Sequence, residues 1–154
     1  EEALRRLIRA QDAHSAEPAA GTVDLVRALA ALESRGRVTV SAPAGPVPAP
    51  AHTVTELVAA VGACLDNVVR HVGAEAPAWV LLESWGDRAE VSVRDEGPGI
   101  PAGRLDAAAA EGRLGVSESV CGRLADLGGT AELSTGPWGT EWVLTVLLPS
   151  PPRP

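Results

Sequence analysis

The densest chemistry in the chain lies in VRDEGPGIP, residues 93–101. An alternating VSV runs straight into Asp95 and Glu96, and Gly97, Pro98 and Gly99 follow at once. Three readings fit. Gly97-x-Gly99-x-x-Ala102 matches a dinucleotide fingerprint on paper, but that fingerprint needs a helix opening directly after the strand. Pro98 and Pro101 prevent a smooth opening, and no helical pattern starts before about Leu105. An ordinary turn fits as well, because Gly and Pro punctuate turns and Asp-Glu makes a solvated strand end. The third reading is a place where a ligand approaches the backbone. Asp95 would accept a hydrogen bond from an exocyclic amine, and Gly97 and Gly99 would let a base lie close to the main chain.

A second group of residues favours the third reading. Asn67, Arg70 and His71 stand at spacings of three and four and share one helical face. An amide oxygen is a hard ligand that suits Mg²⁺, a cation that keeps several waters and bridges phosphates. Guanidinium and imidazole groups meet phosphate oxygens. Further on, Gly112 and Gly115 bracket Arg113-Leu114, a loop whose N–H groups can face an anion at the start of the next helix. Amide, carboxylate with glycines, and glycine-rich flap together compose a nucleotide pocket.

These groups need elements to hold them, and the hydrophobic period supplies them. Residues 1–11 read as a short charged amphipathic helix carrying Leu4, Leu7 and Ile8, and Pro18 and Gly21 then break the pattern. Thr22 is expected to cap a second helix running through Leu32. Residues 37–42 alternate as a strand, and the proline-rich stretch after them has room for a short edge strand. The longest helix is expected over about 53–72, with Thr53 and Glu56 forming a capping box. Two strands, 78–85 and 88–95, flank a Gly86-Asp87 turn. A helix with Val116, Val120, Leu124 and Leu127 ends at Gly128-Gly129, and two closing strands flank Gly136-Pro137-Trp138-Gly139. The order predicts an α+β fold with a mixed sheet.

Composition sets limits. The 154 residues suit one domain with a sizeable core, and 45% hydrophobic content reads as globular. A net charge of −7, with no basic cluster, argues against a nucleic-acid partner. No apolar run reaches the ~20 residues of a membrane span, and no signal peptide opens the chain. The chain begins EEALRR, without Met, and reads as part of something longer. Cys64 and Cys121 sit in apolar helical segments; a disulfide is one reading, and two buried free thiols in a reducing cytoplasm are the favoured one. The four Trp read as core or edge packing.

With these motifs in view, the sequence is similar to the ATP-binding domain of sensor histidine kinases in the GHKL ATPase superfamily, and most resembles the actinobacterial MacS-type, NarL-like group. The resemblance rests on LDNVVRHVG (65–73), DEGPGIP (95–101), GRLGVSESV (112–120) and LGGTAELSTGPWGTEW (127–142), and spans about Val54 to Leu148. It implies a Bergerat-type two-layer α/β sandwich, a mixed sheet backed by about three helices, with a short ATP lid. It implies that Asn67 coordinates the Mg²⁺ that bridges the ATP phosphates, and that Asp95 reads the adenine amine. Gly97 and Gly99 would line the base, Arg70 and His71 would face the phosphates, and Leu114, Gly115 and Val116 would belong to the lid. Thr140, an ATP-binding position, would follow the glycine that supports the adenine site. Glu96 would face solvent.

The resemblance further implies three regions: the end of a dimerisation helix with its linker (1–21), the catalytic domain (22–149) and a loose tail (150–154). The expected partners are the protein's own dimerisation and phosphotransfer helices and a response regulator, with a homodimeric full-length kinase. Two features depart from the family pattern. The Glu expected four residues before the helix asparagine is Ala63, and Asp66 and Glu56 are out of position to replace it. No acceptor histidine is present: His14 is soon followed by Pro18, and His52 precedes a helix cap. An anti-sigma-factor serine kinase of the same superfamily and a non-catalytic ATP-binding switch are the competing expectations.

Overall fold

The structure, a computed structural model, describes residues 21–100 and 116–149. The helix expected over 1–11, His14, Gly112 to Gly115 of the lid and the tail at 150–154 lie outside the described residues. In chain order the elements are β1 (Thr22–Asp24), α1 (Leu25–Ala30), a 3-10 helix (Ala31–Arg35), β2 (Val38–Ser41), β3 (Pro48–Pro50) and α2 (Ala51–His71). Then follow β4 (Ala78–Ser84), β5 (Arg88–Asp95), α3 (Val116–Asp126), β6 (Thr130–Gly136) and β7 (Gly139–Leu147).

Five strands form the main sheet in the order β2-β4-β5-β7-β6, with β2 parallel to β4 and every other pair antiparallel. Strict alternation decides which side faces inward. β4 buries Ala78, Val80 and Leu82, while Trp79 and Leu81 point the other way. Ala89, Val91 and Val93 of β5 and Trp142, Leu144 and Val146 of β7 continue the inner face. α2 lays Leu57, Val61, Cys64, Leu65 and Val68 against it at intervals of one to four residues. α1 adds Leu25 and Leu29, and α3 adds Val120 and Leu124. Each Val or Leu among them contributes roughly 1.5–3 kcal/mol when fully buried. The result is the expected α+β sandwich, one mixed sheet with three α-helices on one side among the described residues.

Local chemistry moved some boundaries. Thr22 does not cap a helix; it begins β1, which pairs antiparallel with β3. Asp24 caps α1 instead, its Oδ1 accepting the Val26 N–H at 3.0 Å and the Val47 N–H at 2.9 Å. The expected edge strand in the proline-rich stretch is β3, in a separate two-stranded sheet. α2 opens at Ala51 straight after β3, so the capping box of Thr53 and Glu56 does not form. Glu56 is an ion-pair partner of Arg123 on α3. Only Trp142 is buried; Trp79, Trp85 and Trp138 are exposed. Cys64 is buried and Cys121 exposed, both as free thiols. Among the described residues no helix is long and apolar enough to cross a membrane.

Candidate functional site

Asp95 is the last residue of β5 and follows Val91 and Val93 on the inner, helix-facing side. It is a carboxylate 6% exposed at the end of an apolar row, where a charge needs partners. Its Oδ1 accepts the Gly97 N–H at 2.8 Å, which turns the chain away from the sheet. Across β7 its neighbour in register is Thr140, also buried, and across β6 the next is Thr135.

Thr135 joins this row to the glycine loop. Its hydroxyl lies 3.2 Å from the Thr140 hydroxyl, accepts the Ile100 N–H at 2.7 Å and donates to the Gly139 carbonyl at 3.3 Å. The loop and the β6–β7 hairpin are therefore one unit. Gly99, at φ +77°, rests on the Gly136 carbonyl, and a Cβ on Gly139 would overlap the carbonyl of Asp95. A Cβ on Gly97 would meet the Val72 side chain at 2.6 Å. The protein's own packing thus accounts for the missing side chains at 97, 99 and 139. Sequence reasoning missed Thr135, although threonines on either side of the Gly136–Gly139 turn signal a cross-strand pair.

The Val72 contact brings the C-terminal end of α2 to the same loop. Asn67 is half-buried about 7–8 Å further back along the helix axis. Arg70 and His71, on its face, are exposed. Among the described residues, none of the three side chains has a hydrogen bond or an ion pair. Leu114 and Gly115 lie outside the described residues, while Val116 is the first residue of α3. α3 is seated on α2 by Val120, Leu124 and the Arg123–Glu56 pair. Burial, with Cys121 adding to it, pushes the Cys64 thiol in this helix pair up to about 12.

The position of the usual glutamate is filled by Ala63, and the carboxylates nearest to it in sequence on α2 are engaged elsewhere. Asp66 Oδ1 accepts from Arg35 Nη1 at 2.7 Å, and Glu56 holds Arg123. The donor set nonetheless fits Mg-ATP: a buried carboxylate for an amine, a guanidinium and an imidazole for phosphate, and one amide oxygen for a metal that keeps its waters. Among the described residues no group of three His, Cys, Asp or Glu is placed to hold a metal. A cavity of about 310 Å³ opens on the opposite side of the sheet, away from Asp95.

Comparison with known proteins shows the chain's family and fold. Residues 52–152 match the family model described as histidine kinase-, DNA gyrase B- and HSP90-like ATPase. The fold is similar to the histidine kinase domain of the Erythrobacter litoralis blue-light-activated kinase EL346, at 24% identity and TM-score 0.60, over 88% of this chain and 72% of that one. The ATP-binding domain of PrrB from Mycobacterium tuberculosis is 27% identical with a TM-score of 0.63, over 84% of this chain and 97% of that one. The mycobacterial sensor histidine kinase MprB shares 20% identity at TM-score 0.60, over 84% of this chain and 98% of that one. A comparison with curated protein sequences gives no match.

Proposed function

Because this chain belongs to the histidine kinase-, DNA gyrase B- and HSP90-like ATPase family, we propose that it is the catalytic domain of a two-component sensor histidine kinase. It binds Mg-ATP and presents the γ-phosphoryl group to a histidine on a dimerisation helix, for relay to a response regulator. Residues 1–21 are then the end of that helix and its linker, and 22–149 the catalytic domain, working in the cytoplasm as part of a homodimer.

The observation that carries this reading is the meeting of Asp95, Thr140 and the loop at 97–99 with the end of α2 through Val72. In this reading the second oxygen of the Asp95 carboxylate takes the adenine amine, while Oδ1 stays on the Gly97 N–H. Gly97 and Gly99 line the base, and Thr140 steadies the adenine end. Asn67 offers its amide oxygen to Mg²⁺, Arg70 and His71 meet phosphate oxygens, and Leu114, Gly115 and Val116 close the lid. ATP supplies the phosphoryl group, and the protein supplies position and charge, which can carry much of such catalysis.

A second reading has its own support. With Ala63 in the glutamate position and both Asp66 and Glu56 tied in ion pairs, α2 offers no evident base, which suits an ATP-binding switch without transfer. Radiolabelled ATP given to a longer chain that includes the dimerisation helix separates the two. Acid-labile label on histidine supports the kinase. Normal ATP binding with no label overturns it in favour of the switch, and label on a partner's serine overturns it in favour of a serine kinase.

A further inference from the structure

Thr135 Oγ1 meets three different groups. The Ile100 N–H lies at 2.7 Å, the Gly139 carbonyl oxygen at 3.3 Å and the Thr140 hydroxyl at 3.2 Å. A hydroxyl has one proton to give and two lone pairs to fill. The Ile100 N–H takes the first lone pair. If the Thr135 proton pointed at Thr140, the Gly139 carbonyl would face the hydroxyl lone pair against lone pair. When it is donated to the Gly139 carbonyl instead, the second lone pair accepts the Thr140 proton, and all three contacts become hydrogen bonds. The direction of the hydroxyl pair is thereby set: Thr140 donates and Thr135 accepts.

The Thr140 proton thus points towards β6, which leaves its lone pairs on the side of β5. There stands Asp95, its neighbour in register, and the two residues are 7% and 6% exposed. Asp95 Oδ1 holds the Gly97 N–H at 2.8 Å. Among the described residues, neither the other carboxylate oxygen nor the Thr140 lone pairs meet a donor. Two buried acceptors side by side without a donor are costly. An amine answers both, because its two N–H bonds diverge. A carbonyl in the same place would meet lone pairs from both sides.

We propose that Thr135 is a positioning residue that makes the base end of the site selective for an amino purine over an oxo purine. It acts through Thr140: by accepting the Thr140 proton, it turns that hydroxyl into a second acceptor beside Asp95. The inference rests on the reading of Asp95 and Thr140 as the adenine end of an ATP site.

The test compares Mg-ATP with Mg-inosine triphosphate, which carries a carbonyl where adenine carries its amine. Both are titrated calorimetrically into the full chain as wild type, Thr135→Val, Thr135→Ser, Thr140→Val and the Thr135→Val/Thr140→Val pair. Wild type is expected to favour ATP. Thr135→Val frees the Thr140 proton to meet the carbonyl, so the ratio of the two affinities should narrow roughly 2–10-fold, the scale of one neutral hydrogen bond. Thr135→Ser should keep the wild-type ratio, and in the Thr140→Val background Thr135→Val should change it no further. An unchanged ratio in Thr135→Val, with both affinities lowered alike, shows a purely structural role; it overturns the inference and leaves ATP binding standing. So does a wild type that binds both nucleotides equally. A wild type that binds neither overturns the ATP reading together with the inference.

Discussion

Gly99 lies so close to the main-chain carbonyl of Gly136 that a Cβ on residue 99 would overlap that oxygen. The first strand-to-loop glycines and the last hairpin therefore form one assembled edge. Gly99→Ala adds a side chain at φ +77°, which costs roughly 1–2 kcal/mol, and the overlap adds roughly 1–3 kcal/mol. Urea unfolding of this variant should show a clearly lower midpoint, and nucleotide affinity should fall with it. A midpoint equal to wild type would mean that the loop does not rest on the hairpin.

Thr135 should matter through its hydroxyl rather than its bulk. Thr135→Val leaves the half-buried Ile100 N–H without the acceptor it meets at 2.7 Å, a loss of about 1–3 kcal/mol. Thr135→Ser keeps the acceptor and should recover most of it. Hydrogen exchange at the Ile100 amide reads the difference: fast in the valine variant, slow in the serine variant and in wild type.

Cys64 carries a pH signature. Its thiol is held at about 12 against an ordinary 9.0, chiefly by burial. A raised acid keeps its proton longer in the folded state, so its contribution to stability is whole below pH 9.0 and is lost as pH climbs towards about 12. Relative to Cys64→Val, which has no such proton, wild-type stability should decline by about 1 kcal/mol per pH unit in that window. Alkylation gives a companion readout: exposed Cys121 reacts in the native protein, and Cys64 reacts on unfolding.

Period and punctuation made most of the fold legible. The β4–β5 hairpin around Gly86-Asp87, the long α2 and the β6–β7 hairpin all follow from alternation, helical spacing and glycine. The misses share a physical cause, which is competition among local signals. Thr22 and Thr53 both look like caps, but strand pairing claims Thr22, and Pro50 leads the chain into α2 before Thr53 is reached. Asp24, with two N–H groups on one oxygen, is the stronger cap.

At the site, Asp95 and Thr140 were legible as motif residues, while Thr135 was not, because its role exists only once β6 and β7 pair. The tryptophans were expected in core or edge packing: Trp142 is core, while the register of β4 turns Trp79 outward on the face that no described helix covers.

In the proposed kinase a nucleotide lies between the α2 face of Asn67 and the buried carboxylate of Asp95. Titration of Mg-ATP into wild type, Asp95→Asn and Asn67→Ala tests it most directly. Asparagine can still accept the Gly97 N–H, so the fold should hold while affinity drops roughly 10–100-fold, the scale of a hydrogen bond to a charged group. Asn67→Ala should bind ATP with little dependence on Mg²⁺. Equal affinity and equal Mg²⁺ dependence in all three proteins would contradict the account.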